Sequence, residues 1–230
     1  MSSRSEFSTR HGLVWLNEAG WSDALARVAD AHYFAVQRWR EQDWPTVIRR
    51  RDADCASGEI CLGIALPPDQ DGLKLRVPLR VGSQGVRETR APLAIADVIE
   101  HAGPHWRNDL LAMQDEISAK GLEIRVFGSL ALQALTGQTY VRPASDIDLL
   151  FSPQDGVQLE QGVSVLQQYA ARLPLDGEIA FPSGQAVSWK EWVQARSKPD
   201  NRVLVKHGSG VALQRVDELL AALEEHACAA

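Results

Sequence analysis

Cysteine is scarce in this chain: three residues in 230, Cys55, Cys61 and Cys228. An odd number at no metal-ligand spacing argues against a disulfide framework or a zinc site as the organising device. Cys55 and Cys61 read as free thiols of a reducing compartment. Long hydrophobic runs are missing too, and none approaches the eighteen or so apolar residues of a membrane helix. The opening Met-Ser-Ser-Arg-Ser-Glu-Phe holds no apolar signal region, so the expectation is a cytoplasmic protein without a membrane partner. Positive charge is in deficit, 24 Lys+Arg against 30 Asp+Glu for a net charge of −6. That balance disfavours nucleic-acid binding through a broadly basic surface, while leaving room for a local basic pocket around a phosphorylated small molecule. No internal repeat, low-complexity tract or nucleophile constellation stands out. What is present, 45% hydrophobic and 23% charged residues, is the composition of one large globular domain or two small ones.

The stretch around which the chain is organised runs from Ile124-Arg-Val-Phe-Gly128-Ser129 through Leu130-Ala-Leu-Gln-Ala-Leu-Thr-Gly137 to Ser145-Asp146-Ile-Asp148-Leu-Leu-Phe151. It reads as a strand, a Gly-Ser turn, a short helix, a loop and a second strand carrying two acids. Side chains alternate along a strand, so Asp146 and Asp148 share one face and Ile147 and Leu149 the other. At about 3.3 Å per residue the two acid α-carbons lie roughly 6.6 Å apart, close enough to converge on one metal ion. Without a cation, such neighbours repel and one tends to take up a proton. Gly128-Ser129 places backbone N–H groups and a hydroxyl at a helix N-terminus, a seat for phosphate.

Before this stretch, Trp21-Ser22 opens a helical pattern through Leu25, Val28, His32, Ala35 and Trp39, with Ser22 as N-cap and the aromatic face as core. Strands are predicted at Thr46–Arg50, Ile60–Leu66 and Leu73–Arg80, the last demoted to a sheet edge by Pro78. A second Gly-Ser, Gly82-Ser83, has no Asp-x-Asp strand after it and reads as a turn; Val81 to Pro92 is the candidate linker. Helices are predicted over Leu93–His101 and Trp106–Lys120, the latter closed by Gly121. After the central stretch come a helix through Leu159, Val163, Leu166 and Ala170, a strand Leu175–Phe181, a segment Ala186–Gln194, a strand Arg202–Lys206 and a closing helix Arg215–Glu225, with a frayed tail beyond. The expected class is α+β: a small strand-rich N-terminal domain over 1–85, then an α/β domain over 86–226.

Carboxylates that hold divalent cations can polarise a phosphate and stabilise a departing phosphate group. A third acid on a neighbouring strand commonly joins the first two. Asp176 and Glu178 alternate onto one face of the Leu175–Phe181 strand; Glu178, inside the strand, is the preferred candidate. Arg142, in the loop before the acids, and Lys206, on a late strand, are candidates to neutralise a triphosphate. Arg49-Arg50-Arg51 could add to a phosphate pocket, although a basic run is usually a solvated face. Trp189 and Trp192 could stack on an adenine ring, although core packing is the commoner use of such residues.

Gly-Ser after a hydrophobic strand, followed by Asp-x-Asp on the next strand, resembles the polymerase-β-like nucleotidyltransferase superfamily. The fuller set is similar to the malonate decarboxylase holo-[acyl-carrier-protein] synthases, or phosphoribosyl-dephospho-CoA transferases. It comprises His11–Leu16, Trp44–Arg50, the arginine-bearing strand near 73–80, Phe127–Gly137, Ser145–Leu150, Asp176-Gly-Glu178, Ala186–Glu191 and Arg202–Lys206. The resemblance implies a donor, 2′-(5″-triphosphoribosyl)-3′-dephospho-CoA, and an acceptor serine on the apo acyl-carrier subunit of malonate decarboxylase. It implies Mg²⁺ as cofactor, with Asp146 and Asp148 as ligands, joined by Asp176 or Glu178. Gly128 and Ser129 become triphosphate contacts, and the serine proton passes to a metal-bound carboxylate. The nucleophile then belongs to the partner, in keeping with the lack of one here. Two other readings stay open: a transferase using an ordinary nucleoside triphosphate, and a binding module of the same fold without catalysis.

Overall fold

The structure, a computed structural model, describes residues 10–198, 200–208 and 210–229. It is α+β and contains two sheets. The chain divides into two compact units, one running to Pro92 and including Leu135–Tyr140, the other comprising Leu93–Ala134 and Val141–Ala230.

The first unit is built on a five-stranded antiparallel sheet of β1 (Leu13–Leu16), β2 (Thr46–Ile48), β3 (Glu59–Ala65), β4 (Arg76–Gly82) and β5 (Val86–Arg90), in the order β4-β3-β2-β1-β5. Pro78 does lie on an edge strand, where its missing N–H costs no ladder bond. Leu73 and Leu75, predicted as the start of that strand, precede it and are exposed. The stretch expected to be a linker is folded: Val81 and Gly82 end β4, Ser83–Gly85 form a 3₁₀ turn, and β5 pairs with β1. The division therefore falls at Pro92/Leu93 and not near residue 85.

The single helix predicted over the first aromatics is two, α1 (Glu18–Arg27) and α2 (Tyr33–Glu41). Val28 and Ala29 are extended and Asp30–His32 form a 3₁₀ turn between them. Asn17, not Ser22, is the N-cap of α1, its side chain accepting from the Gly20 N–H at 3.0 Å. Gly20 packs so closely on the Gly85 backbone that a Cβ at either position would overlap the other chain segment. Tyr140, wholly buried, donates its hydroxyl to the Ala65 carbonyl at 2.8 Å, and burial pushes that hydroxyl above its usual pKa.

Of the predicted basic run, Arg49 binds the Asp52 carboxylate and the Leu62 carbonyl, while Arg51 donates to the Cys55 and Ala56 carbonyls. These arginines tie the hairpin loop that precedes β3. Cys55, Cys61 and Cys228 are all free thiols.

The second unit holds a seven-stranded sheet of β6 (Leu93–Ala94), β7 (Ile124–Phe127), β8 (Ile147–Phe151), β9 (Leu175–Ala180), β10 (Ala186–Ser188), β11 (Arg202–Lys206) and β12 (Val211–Arg215) in sequential order. Only the β8–β9 pair is parallel, joined by the crossover helix α6 (Gly156–Tyr169). The other helices are α3 (Ile95–Val98), α4 (Pro104–Ala119), α5 (Gly128–Thr136), α7 (Trp189–Ala195) and α8 (Val216–Ala229). Pro104 opens α4, where its missing N–H is harmless, and Gly121 follows it at φ +62. The helix expected over Leu93–His101 is instead β6, α3 and a 3₁₀ turn, and the tail expected to fray continues α8.

One face of this sheet is the core. Val126, Ile147, Leu149, Phe151, Ile179, Val187, Val203 and Val205 point into it, against Leu110 and Met113 of α4 and Leu159, Val163 and Leu166 of α6. The strand residues between them face the other way, and Asp148, Asp176, Glu178 and Lys206 are among those.

Candidate active site

At the end of β7 the chain turns straight into α5. Gly128 makes that turn at φ +69, a conformation that carries little cost only without a side chain. A second constraint acts on the same residue: a Cβ at Gly128 would overlap the carboxylate of Asp148. Phe127 and Asp148 are direct partners across the antiparallel β7–β8 ladder, so the acid is delivered against the glycine by strand register. Ser129 follows in the first turn of α5 and is 5% exposed.

The acid strand is entered through a turn, Arg142-Pro143-Ala144-Ser145. The Ser145 N–H donates to the Arg142 carbonyl, and the Arg142 N–H donates to Ser145 Oγ, both at 2.9 Å. Pro143 supplies the fixed φ of the second turn position. Asp146 comes just before β8 and is exposed; Asp148 is inside it and half-buried; Ile147 between them is fully buried in the core. The alternation expected of a strand is thus present at its entry.

Across the parallel ladder Asp148 pairs with Asp176 and Leu150 with Glu178; across the next, antiparallel ladder, Glu178 pairs with Ser188. Paired residues share a face, so Asp148, Asp176 and Glu178 line the side opposite the core. Gly177, between the last two, adopts φ +130, and a Cβ there would overlap the Leu149 backbone. A glycine inside a strand marks such a close approach, and this was the available sequence signal for it.

The two β9 acids do not join the first pair as a metal cluster. Glu178, 6% exposed, accepts from Lys206 Nζ at 2.7 Å. Asp176 faces Lys190 Nζ at 3.4 Å. Among the described residues no group of three or more His, Cys, Asp or Glu side chains is gathered closely enough to hold a metal ion. Mg²⁺ is commonly held by one or two carboxylates together with substrate phosphates and water, and Asp146 and Asp148 are the carboxylates that would fit it.

Lys190 was not among the candidates, since it stood in a segment read as tryptophan packing with exposed charges. The tryptophans do pack: Trp189 and Trp192 are buried, Trp192 beside Phe181 at 5.5 Å, and neither presents a ring for stacking on adenine. Two clefts, of about 590 and 350 Å³, lie in the first unit and are lined by none of the candidate residues.

Comparison with known proteins agrees with the architecture. A family model described as the phosphoribosyl-dephospho-CoA transferase MdcG C-terminal domain matches residues 93–217, and the model for the N-terminal domain matches residues 9–92. A phosphoribosyl-dephospho-CoA transferase of Xanthomonas campestris pv. campestris (strain 8004) is 38% identical over 206 residues, 89% of this chain and 92% of that protein. One from Xanthomonas axonopodis pv. citri (strain 306) is 36% identical over 203 residues, covering 85% and 93%. One from Bradyrhizobium diazoefficiens (strain JCM 10833 / BCRC 13528 / IAM 13628 / NBRC 14792 / USDA 110) is 35% identical over 190 residues, covering 79% and 80%. No solved structure matches the chain. The chain belongs to the phosphoribosyl-dephospho-CoA transferase family, and the boundary between its two family domains coincides with the division between its compact units.

Proposed function

We propose that this protein transfers 2′-(5″-triphosphoribosyl)-3′-dephospho-CoA to a serine of the apo acyl-carrier subunit of malonate decarboxylase. On this reading the sheet of the second unit, with its β7–α5–β8 segment, is a polymerase-β-like nucleotidyltransferase core. The serine oxygen forms a bond to the α-phosphorus, the bond from that phosphorus to the pyrophosphate oxygen breaks, and the serine proton leaves to a carboxylate. The products are a phosphodiester-linked prosthetic group and pyrophosphate. The observation that carries the reading is the Asp148 carboxylate resting against Gly128 where β7 becomes α5. It puts an acid beside a helix N-terminus, which is the combination a polyphosphate ester and its neutralising cation require.

Each residue has a role. Asp146 and Asp148 would hold Mg²⁺, which when bound supplies polarisation of the phosphate and neutralises charge on the departing group. Gly128 lets the backbone approach the triphosphate, and Ser129 brings the first-turn N–H groups of α5 toward its oxygens. Arg142 stands in the turn that leads into Asp146 and contributes positive charge. Asp148 would receive the serine proton; in support of this reading it is half-buried and lies opposite Phe127 in the β7–β8 ladder. Glu178 and Asp176, each facing a lysine, act on those lysines and not on the metal. Catalysis here is chiefly positioning and charge stabilisation, as is usual for phosphoryl-type transfer.

Asp146→Asn and Asp148→Asn are each expected to lower transfer to the limit of detection without altering the circular dichroism spectrum. A variant that keeps near-normal turnover removes that carboxylate from the mechanism.

A further inference from the structure

The start of α7 places a second cation beside β9. β10 ends at Ser188, opposite Glu178, and the chain turns directly into α7, whose second residue, Lys190, reaches Asp176. The side chains meet there, Nζ to Oδ1 at 3.4 Å. Asp176 is in turn the direct partner of Asp148, one strand spacing away, about 4.8 Å. Lys190 therefore stands at the end of the sheet where β7 finishes and where β8 and β9 begin. Lys206, the lysine favoured from the sequence, is level with Ala186, which is itself opposite Ala180, further along β9 from Asp148. It is also held by a short bond to a buried carboxylate.

The Lys190–Asp176 pair is open to water, with 49% and 43% of the two side chains exposed. A solvent-exposed ion pair of this kind contributes little to stability, so holding the fold together is a poor account of it. What the pair does is keep an ammonium group, on a flexible stem with three donors, beside the acid strand.

We propose that Lys190, positioned by Asp176, binds the pyrophosphate portion of the donor and receives it as it departs. The inference rests on the transfer reaction set out above. When the bond to the α-phosphorus breaks, its electron pair goes to the bridging oxygen, and the leaving pyrophosphate gains a negative charge. The Lys190 ammonium neutralises part of that charge without exchanging a proton. Lys190 is then a binding residue for the leaving group, and Asp176 is the residue that positions it.

The test is binding of inorganic pyrophosphate by isothermal titration calorimetry in Mg²⁺ buffer, with transfer kinetics alongside. Lys190→Gln is expected to weaken pyrophosphate binding at least tenfold and to lower kcat for the triphosphoribosyl donor. Lys190→Arg, which keeps the charge, should recover most of the binding. Asp176→Asn should weaken it less, and adding Asp176→Asn to Lys190→Gln should cost nothing further, because the two act as one unit. Pyrophosphate binding by Lys190→Gln within twofold of the unaltered protein, or no measurable binding by the unaltered protein, would overturn the proposal. The two readings fail separately. A protein that labels its carrier but is indifferent to Lys190→Gln refutes only this inference. One that binds pyrophosphate through Lys190 but labels no carrier refutes only the assigned reaction.

Discussion

Gly128 and Gly177 set how close the acid-bearing strand comes to its neighbours on either side. At Gly128 a positive φ and contact with the Asp148 carboxylate coincide, so Gly128→Ala strains the backbone and displaces the acid together. Strain of this kind costs about 1–3 kcal/mol. A misplacement near 1 Å in a reacting constellation can cost about a hundredfold in rate. Gly128→Ala is therefore expected to lower kcat by roughly a hundredfold or more while the protein still unfolds cooperatively; near-normal kcat would show that the contact does not place the acid. Much of this site was legible in the sequence. Gly-Ser after an apolar strand and Asp-x-Asp on the next carry their geometry in a period of two. The pairing of Asp176 and Glu178 with lysines was not legible, because Lys190 lies on α7 and Lys206 on β11 and they meet the two acids only in the folded sheet.

Elements with a strong hydrophobic period were read from the sequence within a few residues: β3, α4, β8, β9 and β11. Those held by backbone pairing and charge were not. Strand β5, Val86-Arg-Glu-Thr-Arg90, has one apolar residue and no period; it is recruited by β1, with Arg90 over the Trp15 ring at 4.8 Å. The helix break at Val28–Ala29 is masked because apolar residues continue at helical spacing on both sides. Across the second sheet, Lys206 on β11 reaches over β10 to Glu178 on β9. Removing one member of a buried pair leaves an uncompensated charge, at several kcal/mol when both are buried. Lys206 is 38% exposed, and the cost is discounted accordingly. Lys206→Met is expected to destabilise by roughly 2 kcal/mol, read from the urea midpoint, with Glu178→Leu in the same chain restoring much of it. An unchanged midpoint would mean that the tie contributes nothing.

For the molecule as a whole, two family domains coincide with two compact units, and among the described residues no helix is long and apolar enough to cross a membrane. Stability toward acid has an identifiable source in the first unit. Hydrogen bonds from Arg49 and then Arg80 hold the Asp52 carboxyl well below the usual carboxylate range, against the opposing effect of burial. A carboxylate depressed in the folded state contributes stability that is present above its unfolded value, about 4, and is lost as pH falls toward the folded one. Asp52→Asn is accordingly expected to lower Tm at neutral pH and to flatten the fall in Tm below about pH 4; parallel Tm–pH curves for the two proteins would contradict this. The central claim concerns the transfer itself. Its most direct test is intact-mass spectrometry of the apo acyl-carrier subunit after incubation with this protein, Mg²⁺ and 2′-(5″-triphosphoribosyl)-3′-dephospho-CoA, with Asp148→Asn in parallel. The expected result is a mass gain equal to the donor less pyrophosphate, absent with the variant. A carrier left unmodified by this donor, with transfer from ATP or CTP in its place, would contradict the assigned reaction.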